Sequence, residues 1–422
     1  MARLLLTALL CLLGPVPGCS TGRTEVPYQI IHANYGVDDP QFRRTVGNLL
    51  GPPLLEGNSL TTYVNGDAFY PPMLEAIRSA RKTITFETFV YWKGQMGEAF
   101  TSALCERARA GVKVHVTIDA VGSDRLDRNY IKRMSEAGVQ VKLYHALGLL
   151  NFGAVAKLNN RSHRKLLIID GMVGFTGGAG VADDWMGNAQ SAEHWRDTHY
   201  RVEGPTVGQL QRAFCDNWME MTGRVLHGDD YYPALGGAGQ DLAQVFESSS
   251  QGGSRSMELM YLLSFACAQK NIRLATPYFV PDDVTIKTLL AARNRGVSVQ
   301  IIVPGKYIDY KLVRRASRAR WGSLLENGVE IYEYQPTMYH TKLMVIDELW
   351  TSIGSANLDH RSFRLNNEAN LNVLNSTFAE AQIEQFEEDL GRSQRMTYQM
   401  WKRRPIWEKI MEETMSLFGP MM

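Results

Sequence analysis

Two short segments of the chain share one pattern of side chains, His-x-Lys followed after four residues by Asp. The segments comprise His163, Lys165 and Asp170 in the first case, and His340, Lys342 and Asp347 in the second. Side chains alternate along an extended strand, so a histidine and a lysine two positions apart point to the same face. Each segment therefore aims one imidazole and one ammonium group at a common point.

This combination suits displacement at the phosphorus of a phosphodiester. A neutral imidazole attacks phosphorus, and a second, protonated imidazole gives its proton to the leaving oxygen. The two lysines hold the non-bridging oxygens and offset the developing charge. Because the lysines supply positive charge, and because no tight acidic or Cys/His cluster has metal-ligand spacing, the sequence predicts no metal and no cofactor.

Each histidine also needs a carboxylate behind it to fix its tautomer and to stabilise the imidazolium. Asp197 follows His163 by 34 residues, and Glu368 follows His340 by 28 residues. We expect these two residues to be the orienting acids.

Small residues follow both motifs at matching places. Ser355 and Asn357 carry a hydroxyl and an amide that are candidates for hydrogen bonds to phosphate oxygens. Gly178, in the first copy, offers a backbone N–H and space instead of a side chain. The motif residues Asp170 and Asp347 are counted as candidate catalytic groups, with the alternative that they hold the loops beside their strands.

The chain contains an internal repeat. A helix followed by a buried strand, and then a helix end, a glycine and a β-branched strand, occur in 73–119 and again in 260–304. This alternation predicts an α/β fold made of two α/β/α halves, related by a pseudo-twofold axis with the active site between them. The predicted divisions are a first half at 57–203, a loop-rich linker at 204–256, a second half at 257–400 and a C-terminal amphipathic helix at 401–422.

The first 19 residues are typical of an export signal. Arg3 precedes an apolar stretch, and the small residues before Cys19 resemble a bacterial lipobox. We expect Cys19 to be lipidated, with an uncleaved anchor or a plain signal peptide as the alternatives. No later segment is long and apolar enough to span a bilayer, so the expected location is the cell envelope, with peripheral or lipid-anchored membrane contact.

The overall charge bears on the class of substrate. The chain has 45 Lys and Arg against 44 Asp and Glu, a formal net charge of +1. Proteins that hold long nucleic acids usually carry a basic excess. A nucleic-acid partner is therefore not expected.

The two motifs, with Gly354-Ser-Ala-Asn357 and Asn367-Glu368, resemble the phospholipase D superfamily from about residue 57 to 400. The segments Phe86–Trp92, His194–Asp197 and Tyr334–His340 are similar to bacterial cardiolipin synthases, in the form without long transmembrane helices. The resemblance implies two phospholipase D-like halves, and condensation of two phosphatidylglycerols into cardiolipin and glycerol. It implies that His163 is the nucleophile and His340 the acid, and that the partners are an anionic phospholipid and the membrane surface.

Three other functions stay open at this level. A hydrolytic phospholipase D or a transphosphatidylase on other phospholipids would use the same residues, as would a nuclease of the superfamily. A scaffold that kept the motif shapes is the non-enzymatic alternative. The apolar segment 147–155, inserted just before the first motif, is predicted to admit lipid, with simple packing against the other half as the alternative.

Overall fold

The computed structural model describes residues 28–145, 160–248 and 256–416. Within these ranges sixteen strands join in one mixed sheet, and two further short strands pair with each other. The strands are β1 Leu55–Val64, β2 Thr83–Thr88, β3 Lys113–Asp119, β4 Gln140–Tyr144, β5 Arg161–Ser162, β6 Leu166–Ile169, β7 Val173–Gly177, β8 Thr198–Glu203, β9 Asp241–Ser248, β10 Asn271–Ala275, β11 Phe279–Val280, β12 Ser298–Pro304, β13 Glu330–Tyr334, β14 Leu343–Ile346, β15 Trp350–Gly354, β16 Leu358–Asp359, β17 Asn366–Leu374 and β18 Ser393–Met396.

Helices cover both faces of this sheet. The α-helices are α1 Pro40–Thr45, α2 Gly66–Ser79, α3 Gln95–Arg109, α4 Arg128–Glu136, α5 Val207–Thr222, α6 Ser256–Cys267, α7 Asp283–Asn294, α8 Lys311–Ala319, α9 Gly322–Glu326, α10 His360–Arg364, α11 Ser376–Gly391, α12 Tyr398–Lys402 and α13 Ile406–Ser416. A π-helical turn, Val46–Leu50, continues α1, and a 3-10 turn, Asp183–Trp185, precedes β8.

The pairing of the strands repeats in the two halves. In the first half β2, β3 and β4 are parallel, and β2 then pairs antiparallel with β6, which leads on to β7 and β8. In the second half β10, β12 and β13 repeat the parallel set, and β14, β15 and β17 repeat the antiparallel one. Strands β1 and β9 join the copies into one sheet. The predicted α/β fold with two related halves is confirmed.

The strands that carry the motifs are buried because helices pack on both sides of them. Every residue of β6, Leu-Leu-Ile-Ile, and of β14, Leu-Met-Val-Ile, is buried. Such continuous apolar runs are typical of strands covered on both faces. One core lies under α2 and α3 of the first half, a second lies under α6 and α7 of the second half, and a third lies on the opposite face of the sheet under α5 and α11.

The segment 204–256 differs from the loop-rich linker that we expected. It contains the sixteen-residue helix α5 and the strand β9, which lies between β1 and β17 in the sheet. The glycines of 236–239 do lie in an irregular loop, but this loop separates two regular elements. Helix α5 forms because its apolar residues recur at helical spacing, with Leu210, Phe214 and Trp218 all buried.

The C-terminal segment also differs from the single amphipathic helix that we expected. It consists of α12 and α13, separated by Arg403, Arg404 and Pro405. Proline has no backbone N–H and disfavours a helical conformation in the residue before it, so the first helix ends there. Glu412 of α13 is buried against Arg404, whereas Ile406 and Ile410 face outward.

Some predictions concern residues that the structure does not describe. They are the export signal with Cys19, the apolar segment 147–155 and residues 417–422 of the C-terminal region. Among the helices of the described ranges, none has the length and apolar character needed to cross a membrane.

Two aspartates of the motifs hold turns at matching places. Asp170 accepts the backbone N–H groups of Arg81, Lys82 and Thr83 at 2.7–3.2 Å. Asp347 accepts those of residues 269–271 at 2.7–2.9 Å. Both aspartates have left-handed backbones, with φ of 53° and 51°. They lie at the ends of β6 and β14 opposite to the histidines, so these contacts favour the turn-holding interpretation over a catalytic one.

We predict that Asp170→Ala lowers the free energy of unfolding by about 2–3 kcal/mol, because three amides lose a charged acceptor and alanine strains the left-handed backbone. Asp170→Asn should lose less, since asparagine tolerates that backbone and keeps one acceptor oxygen. Chemical denaturation measures both changes. Activity of the folded Asp170→Asn protein should stay within about three-fold of wild type; a far larger fall would assign Asp170 to the reaction itself.

Candidate active site

The two motif histidines lie at the same edge of the sheet. His163 follows β5 and precedes β6, whose first residue pairs with Glu87 near the carboxyl end of β2. His340 precedes β14, whose first residue pairs with Ala275 at the carboxyl end of β10. Both histidines therefore lie beside the carboxyl ends of parallel strands, where α/β proteins place their functional groups.

Short backbone pairings tie the halves together directly beside each histidine. Strand β5 pairs in parallel with the start of β17, and the backbone N–H of His163 donates to the Asn367 carbonyl at 2.9 Å. In the matching place Arg196 bridges Tyr339, and the N–H of His340 donates to the Arg196 carbonyl at 2.8 Å. The same interaction thus occurs twice, once on each side of the pseudo-twofold axis.

These pairings exchange the orienting acids between the halves. His163 Nδ1 donates to Glu368 Oε2 at 2.9 Å, and His340 Nδ1 donates to Asp197 Oδ2 at 2.7 Å. The sequence interpretation selected both carboxylates, but each acid follows one motif along the chain and binds the histidine of the other. Because Nδ1 carries the proton toward the acid, Nε2 of His163 is the nitrogen left for a substrate. Nε2 of His340 lies 3.2 Å from Lys342 Nζ.

The lysines bring the two motifs to one place. Lys165 Nζ donates to the carbonyl of His163 at 2.6 Å, and Lys342 Nζ donates to that of His340 at 2.7 Å. Each lysine also acts on the opposite half, since the Lys342 charge lowers the pKa of His163 and the Lys165 charge lowers that of His340. Two imidazoles and two lysine side chains therefore lie close together at one buried site.

Burial determines the protonation of the imidazoles. It lowers the pKa of His163 to about 4, against the opposing effect of Glu368. Burial and the adjacent Lys342 lower the pKa of His340 to about 3. Both rings are therefore neutral near pH 7 in the absence of substrate, which is the form that a nucleophilic imidazole requires.

Burial has the opposite effect on the carboxylates, but their partners outweigh it. Burial raises the pKa of Asp197, but His340, Lys342 and the Trp185 N–H together lower it by more, so the net pKa is below the usual value. The pKa of Glu368 is likewise lowered, because His163, Lys165 and the Ser355 hydroxyl more than offset its burial. Both acids stay ionised and accept from their histidines.

A second hydrogen bond holds each carboxylate in place. The Trp185 indole N–H donates to Asp197 Oδ2 at 2.8 Å, and the Ser355 hydroxyl donates to Glu368 Oε2 at 2.5 Å. Ser355, expected to contact phosphate, is thus engaged behind His163 instead. Asn357 Oδ1 is buried with no hydrogen-bond partner among the described residues, so it is available to a substrate.

Gly178 acts through the space that it leaves. A Cβ at this position would lie 2.2 Å from Asp197 Oδ1, far inside van der Waals contact. The glycine was expected to offer an N–H to phosphate, but that N–H donates to the Thr198 carbonyl at 3.2 Å. Its position instead lets Asp197 approach His340.

Aromatic rings enclose both imidazoles, and the sequence interpretation did not select them. Phe89 lies edge-on to His163 with 4.9 Å between ring centroids. Trp185 and Trp195 lie 5.3 and 5.4 Å from His340. These rings limit water around the reacting nitrogens, as suits transfer to an acceptor other than water.

A buried polar network fixes β5 and thereby His163. Arg161 binds Asp119 through its guanidinium at 3.0 Å, and the Ser162 hydroxyl donates to Glu87 Oε1 at 2.5 Å. Glu87 and Asp119 are fully buried. Burial raises the pKa of Glu87 to about 7.

No metal site accompanies these groups in the described part of the chain. No cluster of three or more His, Cys, Asp or Glu side chains there has the geometry to bind an ion. The positive charge next to the imidazoles comes from the two lysines.

Comparison with known proteins places the chain in a family. The family model described as "Cardiolipin synthase, PLD-like domain" matches residues 73–214 and 262–390. Cardiolipin synthase 2 of Bacillus anthracis is 32% identical over 365 residues, covering 86% of this chain and 70% of that protein. The major cardiolipin synthase ClsA of Bacillus subtilis is 32% identical over 369 residues, covering 87% and 76%. The chain belongs to the phospholipase D-like family that includes the bacterial cardiolipin synthases, which confirms the resemblance seen in the sequence.

Solved structures support the same fold. Phosphatidylserine synthase of Haemophilus influenzae superposes with a TM-score of 0.64 at 15% identity, covering 89% of this chain and 96% of that one. Polyphosphate kinase of Porphyromonas gingivalis superposes with a TM-score of 0.53 at 14% identity, covering 89% and 53%. At these identities the likeness concerns the fold alone.

We predict that Gly178→Ala lowers kcat by about 10–100-fold, because the new methyl group displaces Asp197 from His340. Gly208→Ala is the matched control, since a Cβ there meets nothing within 4 Å and Gly208 lies inside helix α5. Steady-state kinetics and melting temperatures of both variants test this. An unchanged kcat in a folded Gly178→Ala protein would show that the Asp197–His340 contact is dispensable.

Proposed function

We propose that the protein is a phosphatidyltransferase that condenses two phosphatidylglycerols into cardiolipin and glycerol through a phosphohistidine. The observation that carries this proposal is the convergence of two neutral imidazoles and two lysines, with each imidazole oriented by a carboxylate of the opposite half. The curated relatives named cardiolipin synthase support the choice of lipid.

In the first step His163 Nε2 attacks the phosphorus of one phosphatidylglycerol. The P–O bond to the glycerol headgroup breaks as the P–N bond forms, and His340 gives its proton to the departing glycerol oxygen. Lys165 and Lys342 bind the non-bridging oxygens, and Glu368 stabilises the positive ring of the phosphohistidine. Since His340 is neutral in the empty cleft, it gains its proton when the anionic phosphodiester binds, because that anion raises its pKa.

In the second step the headgroup hydroxyl of another phosphatidylglycerol attacks the phosphorus. His340, now neutral, takes the hydroxyl proton, and the P–N bond to His163 breaks. Cardiolipin forms, with His163 neutral again and His340 protonated as in the initial complex. His340 loses that proton when the anionic product leaves, because its pKa then falls. Water in place of the lipid alcohol would give phosphatidic acid, so exclusion of water by Phe89, Trp185 and Trp195 favours transfer over hydrolysis.

The proposal includes contact with an anionic membrane surface and attachment to the cell envelope through a lipidated Cys19. A phospholipid with long acyl chains stays in its bilayer, so the enzyme must work at the membrane surface. Hydrolytic phospholipase D activity is the second candidate, because it would use the same residues with water as the acceptor.

Purified protein mixed with phosphatidylglycerol vesicles and a chelator should form cardiolipin and glycerol in equal amounts. His163→Ala and His340→Ala should each lower the rate by at least about 1,000-fold, since the two imidazoles act as one unit. His227→Ala, at an exposed histidine, is the control and should keep wild-type activity. Thin-layer chromatography and mass spectrometry identify the products. Phosphatidic acid as the main product would establish the hydrolase instead, and full activity of either cleft variant would exclude the proposed chemistry.

The pKa values of the two lysines predict how the activity depends on pH. Burial lowers the pKa of Lys165 to about 7 and that of Lys342 to about 8, from 10.5, against the opposing effect of the carboxylates Glu368 and Asp197. A lysine with a lowered pKa loses its proton as the pH rises through that value, so the free enzyme then binds the anionic lipid less well. We therefore expect kcat/KM to fall between about pH 7 and 9.

Lys342→Arg should move this alkaline limb upward, because a guanidinium stays charged throughout the range. Its maximal kcat/KM should be lower than that of wild type, because the planar group fits the lysine site less well. Rate–pH profiles on vesicles of constant composition test both statements. A kcat/KM that is flat up to pH 10 in the wild-type protein would contradict the role of the lysines.

A further inference from the structure

Two loops, one from each half, border the cleft. The first comprises residues 120–127 and follows β3, and the second comprises residues 305–310 and follows β12. Strands β3 and β12 occupy matching places in the repeat, and they run parallel to β2 and β10, whose carboxyl ends lie beside the two histidines. Both loops therefore leave the sheet at the edge that holds the active site. We call them the lips of the cleft, together with the first turn of α8.

The lips approach each other across the boundary between the halves. The charges of Asp124 and Arg125, in the first lip, lie close enough to act on the hydroxyl of Tyr310 in the second. Tyr310 stacks edge-on against Tyr278 with 6.2 Å between centroids, and Tyr278 donates to Asp309 at 2.5 Å. The charge of Asp309 in turn acts on Lys342, so the second lip lies next to the active site.

The lips expose apolar side chains to solvent. Val121 of the first lip is 48% exposed, Tyr310 of the second is 62% exposed, and Leu312, in the first turn of α8, is 44% exposed. Single exposed apolar residues are common on protein surfaces and need no explanation. Three exposed apolar residues beside one site need an explanation, because their exposure to water costs free energy. Burial in an apolar environment would recover that free energy.

Cations surround these apolar side chains. Arg125, Lys306 and Lys311 are exposed on the lips. The acids of the lips are Asp124, which is exposed, Asp127, which pairs with Lys93, and Asp309, which accepts the Tyr278 hydroxyl. Arg314 and Arg315 follow in α8, and Arg314 pairs with Glu333. Residues 305–315 therefore offer three cations, Lys306, Lys311 and Arg315, against one acid. An aromatic ring, aliphatic side chains and an excess of cations together suit an anionic lipid surface.

We propose that the two lips form a docking face for an anionic phospholipid bilayer, with Val121, Tyr310 and Leu312 entering the headgroup layer and the cations contacting lipid phosphates. This inference rests on the proposed function, since it requires that the substrate is a membrane lipid. It adds how the enzyme is oriented: the cleft opens directly onto the bilayer, so a lipid reaches His163 without leaving the membrane completely.

A second exposed apolar patch provides the comparison that the proposal needs. Ile406, Trp407 and Ile410 of α13 are 75%, 60% and 61% exposed. Each of them is more exposed than Val121 and Leu312 of the lips. Helix α13 packs against α8 through Glu412 and Arg318. Arg318 lies near the carboxyl end of α8, away from the lip. If exposure alone determined membrane contact, this patch would bind at least as well as the lips.

Two triple variants distinguish membrane binding through the lips from binding through any exposed apolar patch. The lip variant is Val121→Ser, Tyr310→Ser and Leu312→Ser, and the control is Ile406→Ser, Trp407→Ser and Ile410→Ser. All proteins compared carry Cys19→Ala, so that a lipid anchor does not contribute to binding. Co-sedimentation with phosphatidylglycerol vesicles should then show that the lip variant binds at least about ten-fold more weakly than the protein with wild-type lips. The control should bind within about two-fold of wild type. Equal melting temperatures establish that each variant is folded.

A charge variant tests the second component of the face. Lys306→Gln with Lys311→Gln should weaken binding to phosphatidylglycerol vesicles at low salt, and this loss should shrink at high salt because the interaction is screened. On phosphatidylcholine vesicles, which carry no net charge, the same variant should bind as wild type does. A loss of the same size on both kinds of vesicle would contradict the assignment of the lysines.

Turnover separates failure of this inference from failure of the proposed function. Both triple variants should convert short-chain phosphatidylglycerol, dispersed below its aggregation concentration, within about three-fold of the wild-type rate. The lip variant alone should be slow on vesicles. Wild-type vesicle binding by the lip variant, or an equal loss in the control, overturns the docking face. Absence of turnover on every substrate overturns the proposed function, while the vesicle-binding result still decides the docking face.

Discussion

The exchange of carboxylates between the halves is the interaction on which the rest of the site depends. Each imidazole is buried, and each takes its acceptor from the other copy of the repeat. A shift of one half against the other that kept the site buried would leave two ionised carboxylates without their partners, which is costly in an apolar surrounding. The continuous sheet, the β5–β17 pairing and the buried Arg196–Asp389 ion pair all hold the halves in the one arrangement that keeps both exchanges.

The same arrangement explains why the empty cleft is prepared for an anion. Its two imidazoles are neutral, its two carboxylates are ionised, and burial lowers the pKa of both lysines. A phosphodiester brings the negative charge that favours protonated lysines and a protonated His340. Substrate binding thus produces the acid and the electrostatic clamp that the reaction uses, with the protein already in position.

The sequence was sufficient for the elements that repeat. Two copies of helix, strand and motif predicted the α/β halves, and a spacing of two residues along a strand predicted the side-by-side histidine and lysine. The exchange of acids could not be predicted from the sequence, because Glu368 lies 205 residues from His163 and Asp197 lies 143 residues from His340. Each copy of the repeat contains one histidine and one acid that follows it. The sequence therefore does not show whether an acid binds the histidine of its own half or that of the other half.

Residues that act by burial or by leaving space were equally hard to read. Trp185 resembles an ordinary core residue until its indole is seen to donate to Asp197. Gly178 offers no side chain, and its effect depends on how closely Asp197 approaches. Asp170 belongs to the motif by pattern, yet its three amide contacts lie at the far end of the strand. In each case the three-dimensional neighbours decide the role.

The most direct test of the account is detection of the covalent intermediate. Protein mixed rapidly with phosphatidylglycerol would be quenched in base within the first turnover, digested and analysed by mass spectrometry. The account predicts one phosphatidyl group on the peptide that contains His163, and none on the peptide that contains His340. Cardiolipin formation with no adduct on either peptide, or an adduct on His340 alone, would contradict it.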